Sequence, residues 1–298
     1  MSARGIGQGR SPAAELWREF SESRLAVGGL VVVGLCILAA IFAPLITPQD
    51  PYDQAQLALF DARLPPGTVG SAGYVHWLGT DAAGRDLLSA IVFGLRTSIF
   101  VGVASGTIAL SIGTALGLLA AFRGGLVEAA VMRLVDLQLS FPAILLALVL
   151  SALMGQGLAQ VVIALVAAQY AYYARTVHGA ALAERRKDYV EAALGIPLST
   201  RRVLVRHLLP NALPPLLVVA TVQIANAIAI EATLSFLGVG MPTSEPSLGT
   251  LIANGYQFML SGRYWISVYP GLVLLVVIMS INLVGDRLRD ILNPRLKR

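Results

Sequence analysis

Charge is almost absent from six stretches of the chain, at 25–46, 98–122, about 134–154, 158–176, about 214–238 and 266–285. At 1.5 Å per residue, the run 25–46 spans roughly 30 Å as a helix, the thickness of a bilayer's hydrocarbon core. A secretory leader has a shorter apolar core of about 7–15 residues, so this first run reads as a retained helix. The pattern predicts an all-α membrane protein of about six transmembrane helices. Gly102, Gly106, Gly113 and Gly117 recur at four- and seven-residue steps within 98–122. Small residues at that spacing let helices approach closely in lipid, where apolar burial gives no net drive to associate.

Composition agrees with one membrane bundle. Of 298 residues, 56% are hydrophobic and 13% charged, whereas a soluble domain carries about 25% charged residues. The pI is near 9.6, but the basic residues lie in short connections, which excludes nucleic acid as the reason for them. Arg4, Arg10, Arg18 and Arg24 precede the first run. Arg123 and Arg133 flank the next connection, and Arg185, Arg186, Lys187, Arg201, Arg202 and Arg206 fall within 177–213. Arg287, Arg289, Arg295, Lys297 and Arg298 close the chain. In a six-span alternation all four groups share one side, so both termini and the 177–213 loop are expected in the cytoplasm. The organisation is then a cytoplasmic segment 1–24, a first span 25–46, an extracytoplasmic loop 47–97, a five-helix core 98–285 and a cytoplasmic tail 286–298. The core includes a second outer segment, 239–265. Cys36 is the sole cysteine, and His76, His178 and His207 are far apart, so neither a disulfide nor a metal site is expected.

The polar stretch 185–214 stands out. Asp188-Tyr-Val-Glu-Ala-Ala-Leu-Gly195 reads as a short helix, with Asp188 and Glu191 complementing its positive end and Gly195 closing it. Ala192 and Ala193 form a smooth face, and Pro197 turns the chain away. A second basic helix, Thr200 to Leu209, leads through Pro210, Pro214 and Pro215 to the next span. Such an element is either a docking part for a soluble partner or an ordinary amphipathic connector.

Glu191-Ala192-Ala193, Gly195 and Leu209-Pro210 resemble the EAA loop of bacterial ABC-importer permeases. Leu78-Gly-Thr-Asp-Ala-Ala-Gly-Arg-Asp86, Phe93-Gly-Leu-Arg-Thr-Ser98, Met132-Arg-Leu-Val-Asp136, Phe141-Pro142, Leu234-Ser-Phe-Leu-Gly-Val-Gly240 and Asn282-Leu-Val-Gly-Asp286 are similar, in order, to the second permease of dipeptide/oligopeptide-type importers. The resemblance covers about Trp17 to Arg298. Pro197 stands where close relatives have Gly, and Leu248 where they have Trp.

The resemblance implies a type I ABC-importer permease fold in a bacterial inner membrane. It also implies a homologous second permease as heterodimer partner, two cytoplasmic ATPases and an extracytoplasmic binding protein that delivers peptide. Asp188, Tyr189, Glu191, Ala192, Ala193, Gly195 and Pro197 would couple to an ATPase. Pro242, Glu245, Leu248, Gly249 and Tyr256 would meet the binding protein. ATP and Mg2+ would belong to the ATPases, with no cofactor on this chain. The residues themselves agree: neither Lys187 nor Lys297 follows a Gly, so no P-loop is present. Nickel, glutathione or another small solute is the alternative cargo within that class.

Glu231 interrupts an apolar run. Because a charge within a span costs about 2.5–3.5 kcal/mol on insertion scales, it is expected to face the interior or water. With Gln223 and Asn226 it forms the candidate pathway or gate; a structural bond between helices is the other reading. Asp136 lies near Arg133 and is read as a local ion pair or a tie between helices. A secondary transporter or channel acting without an ATPase is the competing class. It would show embedded titratable residues or broken helices in matching halves.

Overall fold

The computed structural model describes residues 12–53, 57–185, 187 and 204–292. After an amphipathic helix α1 (Pro12–Ser21), the chain enters α2 (Arg24–Ile41), which Ser23 caps through the Ala26 amide. A short turn of helix, α3 (Ala43–Ile46), leads into an outer segment. That segment carries a two-residue hairpin, β1 (Thr68–Val69) against β2 (Val75–His76), antiparallel with Thr68 opposite His76. Then come α4 (Leu87–Arg123), α5 (Gly125–Leu139), α6 (Ala143–Met154) and α7 (Leu158–Arg185). A π-helical turn, Leu204–Leu208, opens α8 (Leu209–Phe236); α9 (Leu248–Tyr256) and α10 (Trp265–Leu292) complete the chain.

Among the described residues, α2, α4, α8 and α10 are long and apolar enough to cross a membrane. The span expected at 134–154 is two helices: α5 and α6 meet at 88° and together could make a fifth crossing. The break falls at Phe141-Pro142, because proline pushes the residue before it out of helical geometry. The span expected at 158–176 lies within the 28 residues of α7, but Gln160, Gln169, Tyr170, Tyr172 and Tyr173 make it too polar to qualify by composition. Its neighbours shield it. Val161, Ala164, Leu165, Ala171 and Ala174 are wholly buried, so much of α7 never meets lipid.

The tightest seam is α4 against α7. A Cβ built on Gly113 would lie 2.5 Å from the Tyr170 carbonyl oxygen and 2.6 Å from the Tyr173 Cβ. One built on Gly117 would lie 2.5 Å from the Ala174 oxygen. Gly102 and Gly106 do the same against Ile228 and Ile224 of α8. The glycine stripe read in the sequence is therefore the surface on which both α7 and α8 seat. By contrast, α2 is peripheral. Gly29 rests on α10 near Ser280 and Leu283, and Leu30, Val31, Leu35, Leu38 and Ile41 are exposed, as a lipid-facing side requires.

The helix ends form two opposite faces. On one, Arg185 donates to the carbonyls of Ala121 and Phe122, and Arg287 bonds the Glu19 carbonyl. On the other, the Gly157 amide donates to the Gly240 carbonyl, and Gln156 donates to Gly238. That second face carries a small folded lobe. The amide and hydroxyl of Ser71 bond Asp61, Thr80 donates to the Asp61 carbonyl, and Arg85 pairs with Asp81 at 2.7 Å. Arg85 also reaches the Thr243 carbonyl, tying the lobe to the α8–α9 connection. Burial first, then the charges of Asp86 and Asp61, push the Tyr74 hydroxyl above the usual phenol range.

Asp86 organises the junction between lobe and bundle. Its carboxylate accepts from the Ser89 amide and hydroxyl at 2.8 and 2.7 Å, capping α4, and meets His76 Nδ1 at 2.9 Å. That cap is why α4 starts at Leu87, ahead of the uncharged run at 98–122. Asp86→Ala is expected to lower stability by about 2 kcal/mol, the sum of a lost cap and an orphaned histidine. Thermal melting in detergent measures it, and Asp86→Asn should recover most of the loss by keeping the cap. An Ala variant that melts with the wild type would show that Asp86 does not hold the junction.

Candidate functional site: a membrane-depth cavity

A cavity of about 890 Å³ opens between α7, α8 and α10. Its mouth is charged, with Glu184, Asp286 and Arg289, and its middle is apolar, with Val218, Val219 and Val222. Its inner end is amide-rich, with Gln223 and Asn226 beside Tyr172. The polar inner end arises because α8 presents Gln223 and Asn226 one turn apart, with the Asn226 side-chain amide donating to Gln223 Oε1 at 2.8 Å. Pro214 and Pro215 lie on the same wall, inside α8. The sequence reading placed the approach to this span at Pro210–Pro215, ahead of the helix proper. The helix instead begins at Leu209: Pro210 sits in the first turn, where no amide donor is needed, and tertiary packing carries the helix through the two later prolines.

Of the three residues read as pathway or gate, Gln223 and Asn226 therefore line the cavity, and Glu231 does not. Glu231 is 0% exposed and sits little more than a turn from the end of α8. It accepts from Ser98 of α4 and Ser235 of α8, each at 2.8 Å, and Ser247, the N-cap of α9, stands close by. Ser235 in turn accepts from the Met241 amide. The carboxyl thus clasps α4 to α8 and, through Ser235, steadies the connection that follows. This is a bond between helices made within the chain.

The residues read as binding-protein contacts divide in the same way. Tyr256 is exposed, and Pro242 and Glu245 are half-buried on the lobe face. Leu248 and Gly249 are core: Leu248 is wholly enclosed with Leu87, Leu251 and Ile228, and Gly249 lies against the Ala232 backbone so closely that no side chain fits. They cannot be surface contacts here, because the capping box of Ser247 and Thr250 turns that edge of α9 inward. Asp188, Tyr189, Glu191, Ala192, Ala193, Gly195 and Pro197 lie outside the described residues.

Asp136 is paired, though with Arg175 of α7 rather than Arg133. The pair is more than half exposed, and such pairs contribute at most about 1 kcal/mol. It works as a tie between α5 and α7, alongside Glu128 with His178 at 2.8 Å. Sequence reasoning missed Gln169 and Tyr172, which meet Gln223 and Asn226 from α7. The available signal was the cluster of polar side chains, Gln169, Tyr170, Tyr172 and Tyr173 with Arg175, in the second half of the run 158–176.

Comparison with known proteins places these features. Residues 113–298 match the family described as binding-protein-dependent transport system inner membrane component. Residues 11–66 match the N-terminal TM domain of oligopeptide transport permease C. The dipeptide transport system permease protein of Haemophilus influenzae is 36% identical, over 97% of this chain and 97% of its own. The di/tripeptide transport system permease protein of Pseudomonas aeruginosa is 38% identical, over 96% and 93%. The oligopeptide transport system permease protein of Bacillus subtilis is 35% identical, over 95% and 91%. Among solved structures, a chain of the MetNI methionine ABC transporter, in an inward-facing conformation, superimposes with a TM-score of 0.56 at 21% identity. The match covers 70% of this chain and 98% of that one, a likeness of fold.

Proposed function

This chain belongs to the family of binding-protein-dependent transport system inner membrane components, and we propose that it forms half of an ATP-driven import pathway for di- and oligopeptides. The observation that carries the reading is near-full-length similarity to permeases named for dipeptide, di/tripeptide and oligopeptide transport. The cavity supports it. Charged groups of both signs stand at the mouth and amides at the inner end, which suits a zwitterionic solute with an amide backbone.

In this reading the chain lies in a bacterial inner membrane with both termini and the 177–213 loop in the cytoplasm. It pairs with a homologous permease, so that the open side of the cavity becomes one wall of a shared path. Two cytoplasmic ATPases hold ATP and Mg2+, and this chain catalyses nothing and binds no cofactor. Asp188 to Pro197 dock on an ATPase, and a binding protein delivers peptide to the lobe face, where Tyr256, Pro242 and Glu245 are accessible. Leu248 and Gly249 act there only by shaping α9.

The test is reconstitution. Liposomes containing the purified complex of permeases and ATPases, supplied with binding protein, should accumulate a labelled dipeptide only with ATP. Liposomes containing this chain alone should accumulate none. A cysteine placed at Ala193 should crosslink to an ATPase subunit in the intact complex. Uptake by the isolated chain would overturn the reading in favour of a self-sufficient carrier.

A further inference from the structure

The inner end of the cavity continues into a small pocket of about 120 Å³ between α6, α7 and α8. The two spaces share Tyr172, Gln223 and Asn226, and Gln169 is added from α7. Gln169 and Gln223 are 1% and 4% exposed. Gln169 uses its side-chain amide to donate to the Gln223 carbonyl at 3.3 Å, and Gln223 uses Oε1 to accept from Asn226. Those bonds fix what is left over. Gln169 Oε1 is an acceptor and Gln223 Nε2 a donor, and neither finds a partner among the described residues. A buried polar atom left unpaired costs roughly 1–3 kcal/mol, so two in one small space call for a complementary group.

A secondary amide offers that complement: an N–H for Gln169 Oε1 and a C=O for Gln223 Nε2. We propose that Gln169 and Gln223 form a subsite that reads one backbone amide of the passing peptide. Both atoms are closed off from water in this conformation, so the amide reaches them when the helices around the cavity part. The inference rests on the cavity being the transport path and adds to it a specificity-determining pair. Because the subsite reads backbone only, it discriminates peptides from other small solutes without selecting side chains.

Replacing the peptide N–H by an ester oxygen removes the group that meets Gln169 and leaves the C=O. The experiment uses the complete reconstituted importer and compares uptake of a tripeptide with its depsipeptide analogue, in wild type and in Gln169→Met. The binding protein is common to both, so its own preference cancels in the ratio of ratios. Wild type is expected to favour the amide over the ester by roughly five- to tenfold more than Gln169→Met does, the scale of one hydrogen bond. Gln223→Met should slow both substrates and lower the amide-to-ester ratio by a smaller factor than Gln169→Met, since an amide carbonyl is a stronger acceptor than an ester carbonyl. It serves as the second variant should Gln169→Met fail to assemble. An amide-to-ester ratio unchanged by Gln169→Met, or by Gln223→Met should the first variant fail to assemble, would overturn the subsite and leave the pair as structural. Wild-type liposomes that take up neither compound with ATP would instead overturn the peptide-import reading itself.

Discussion

Gly113→Leu is expected to abolish the assembled bundle, with loss of a cooperative thermal transition in detergent. Even the single Cβ of Gly113→Ala would sit 2.5 Å from the Tyr170 carbonyl oxygen and 2.6 Å from the Tyr173 Cβ. Neither neighbour is the free end of a flexible chain, so relief must come from separating α4 and α7 along their length. Overpacking of a close-packed interior costs about 1–3 kcal/mol for added methylenes. Alanine should fall in that range and leucine well beyond it. The seam also positions Tyr170, Tyr173 and, one turn back, Gln169, so the Ala variant should impair uptake more than its melting shift alone explains. Gly179→Ala is the control, since a Cβ there meets nothing within 4 Å. Equal melting of Gly113→Leu and wild type would refute the claim that this contact limits helix approach.

Glu231→Ala is the second large effect, at about 2–5 kcal/mol, since it orphans two buried hydroxyls at about 1–3 kcal/mol each and leaves a cavity. Ser98 and Ser235 would each lose their acceptor, and the methyl group cannot fill the space. The loss should be local. Ser235, held by this carboxyl, accepts from the Met241 amide of the α8–α9 connection, so protease cleavage near Gly238–Ser247 should accelerate before the bundle melts. Glu231→Gln retains one acceptor oxygen, and its new amide can donate to a serine hydroxyl, so it should fall well short of the alanine loss. Melting curves of the two variants decide it. A glutamine variant as damaged as the alanine one would mean that charge, rather than hydrogen bonding, matters at this position.

How much of this could be read from sequence depends on the range of the interaction. The helices and the glycine stripe were legible because both are periodic within one segment. Glu231 was legible as a group that must face inward, since an exposed carboxylate in lipid is untenable. Its partners were not, because Ser98 lies 133 positions away in sequence. The break at Phe141-Pro142 was visible as a motif, yet hydropathy alone merged α5 and α6 into one span. For α7, hydropathy overstated lipid contact, because burial by α4, α6 and α8 lets a helix keep glutamines and tyrosines. The lobe read only as a loop, 47–97. Its order comes largely from Asp61 and Asp86 bonding across ten residues or into the next helix, which no local pattern reveals. Half of the amide pair, Gln223, was singled out from its own helix. The other half, Gln169, emerges only when α7 and α8 are side by side.

The length of α4 has a mechanical corollary. Its 37 residues make a rod of about 55 Å, against a hydrocarbon core of roughly 30 Å. The rod is seamed to α7 near one tip and rooted by Asp86 in the folded lobe at the other. Tilting such a mast by only about 10° about its lower tip would carry the upper one sideways by roughly 10 Å. That sweep is about the extended length of a tripeptide, so a small rotation at the α7 end is enough to carry the lobe sideways by that distance.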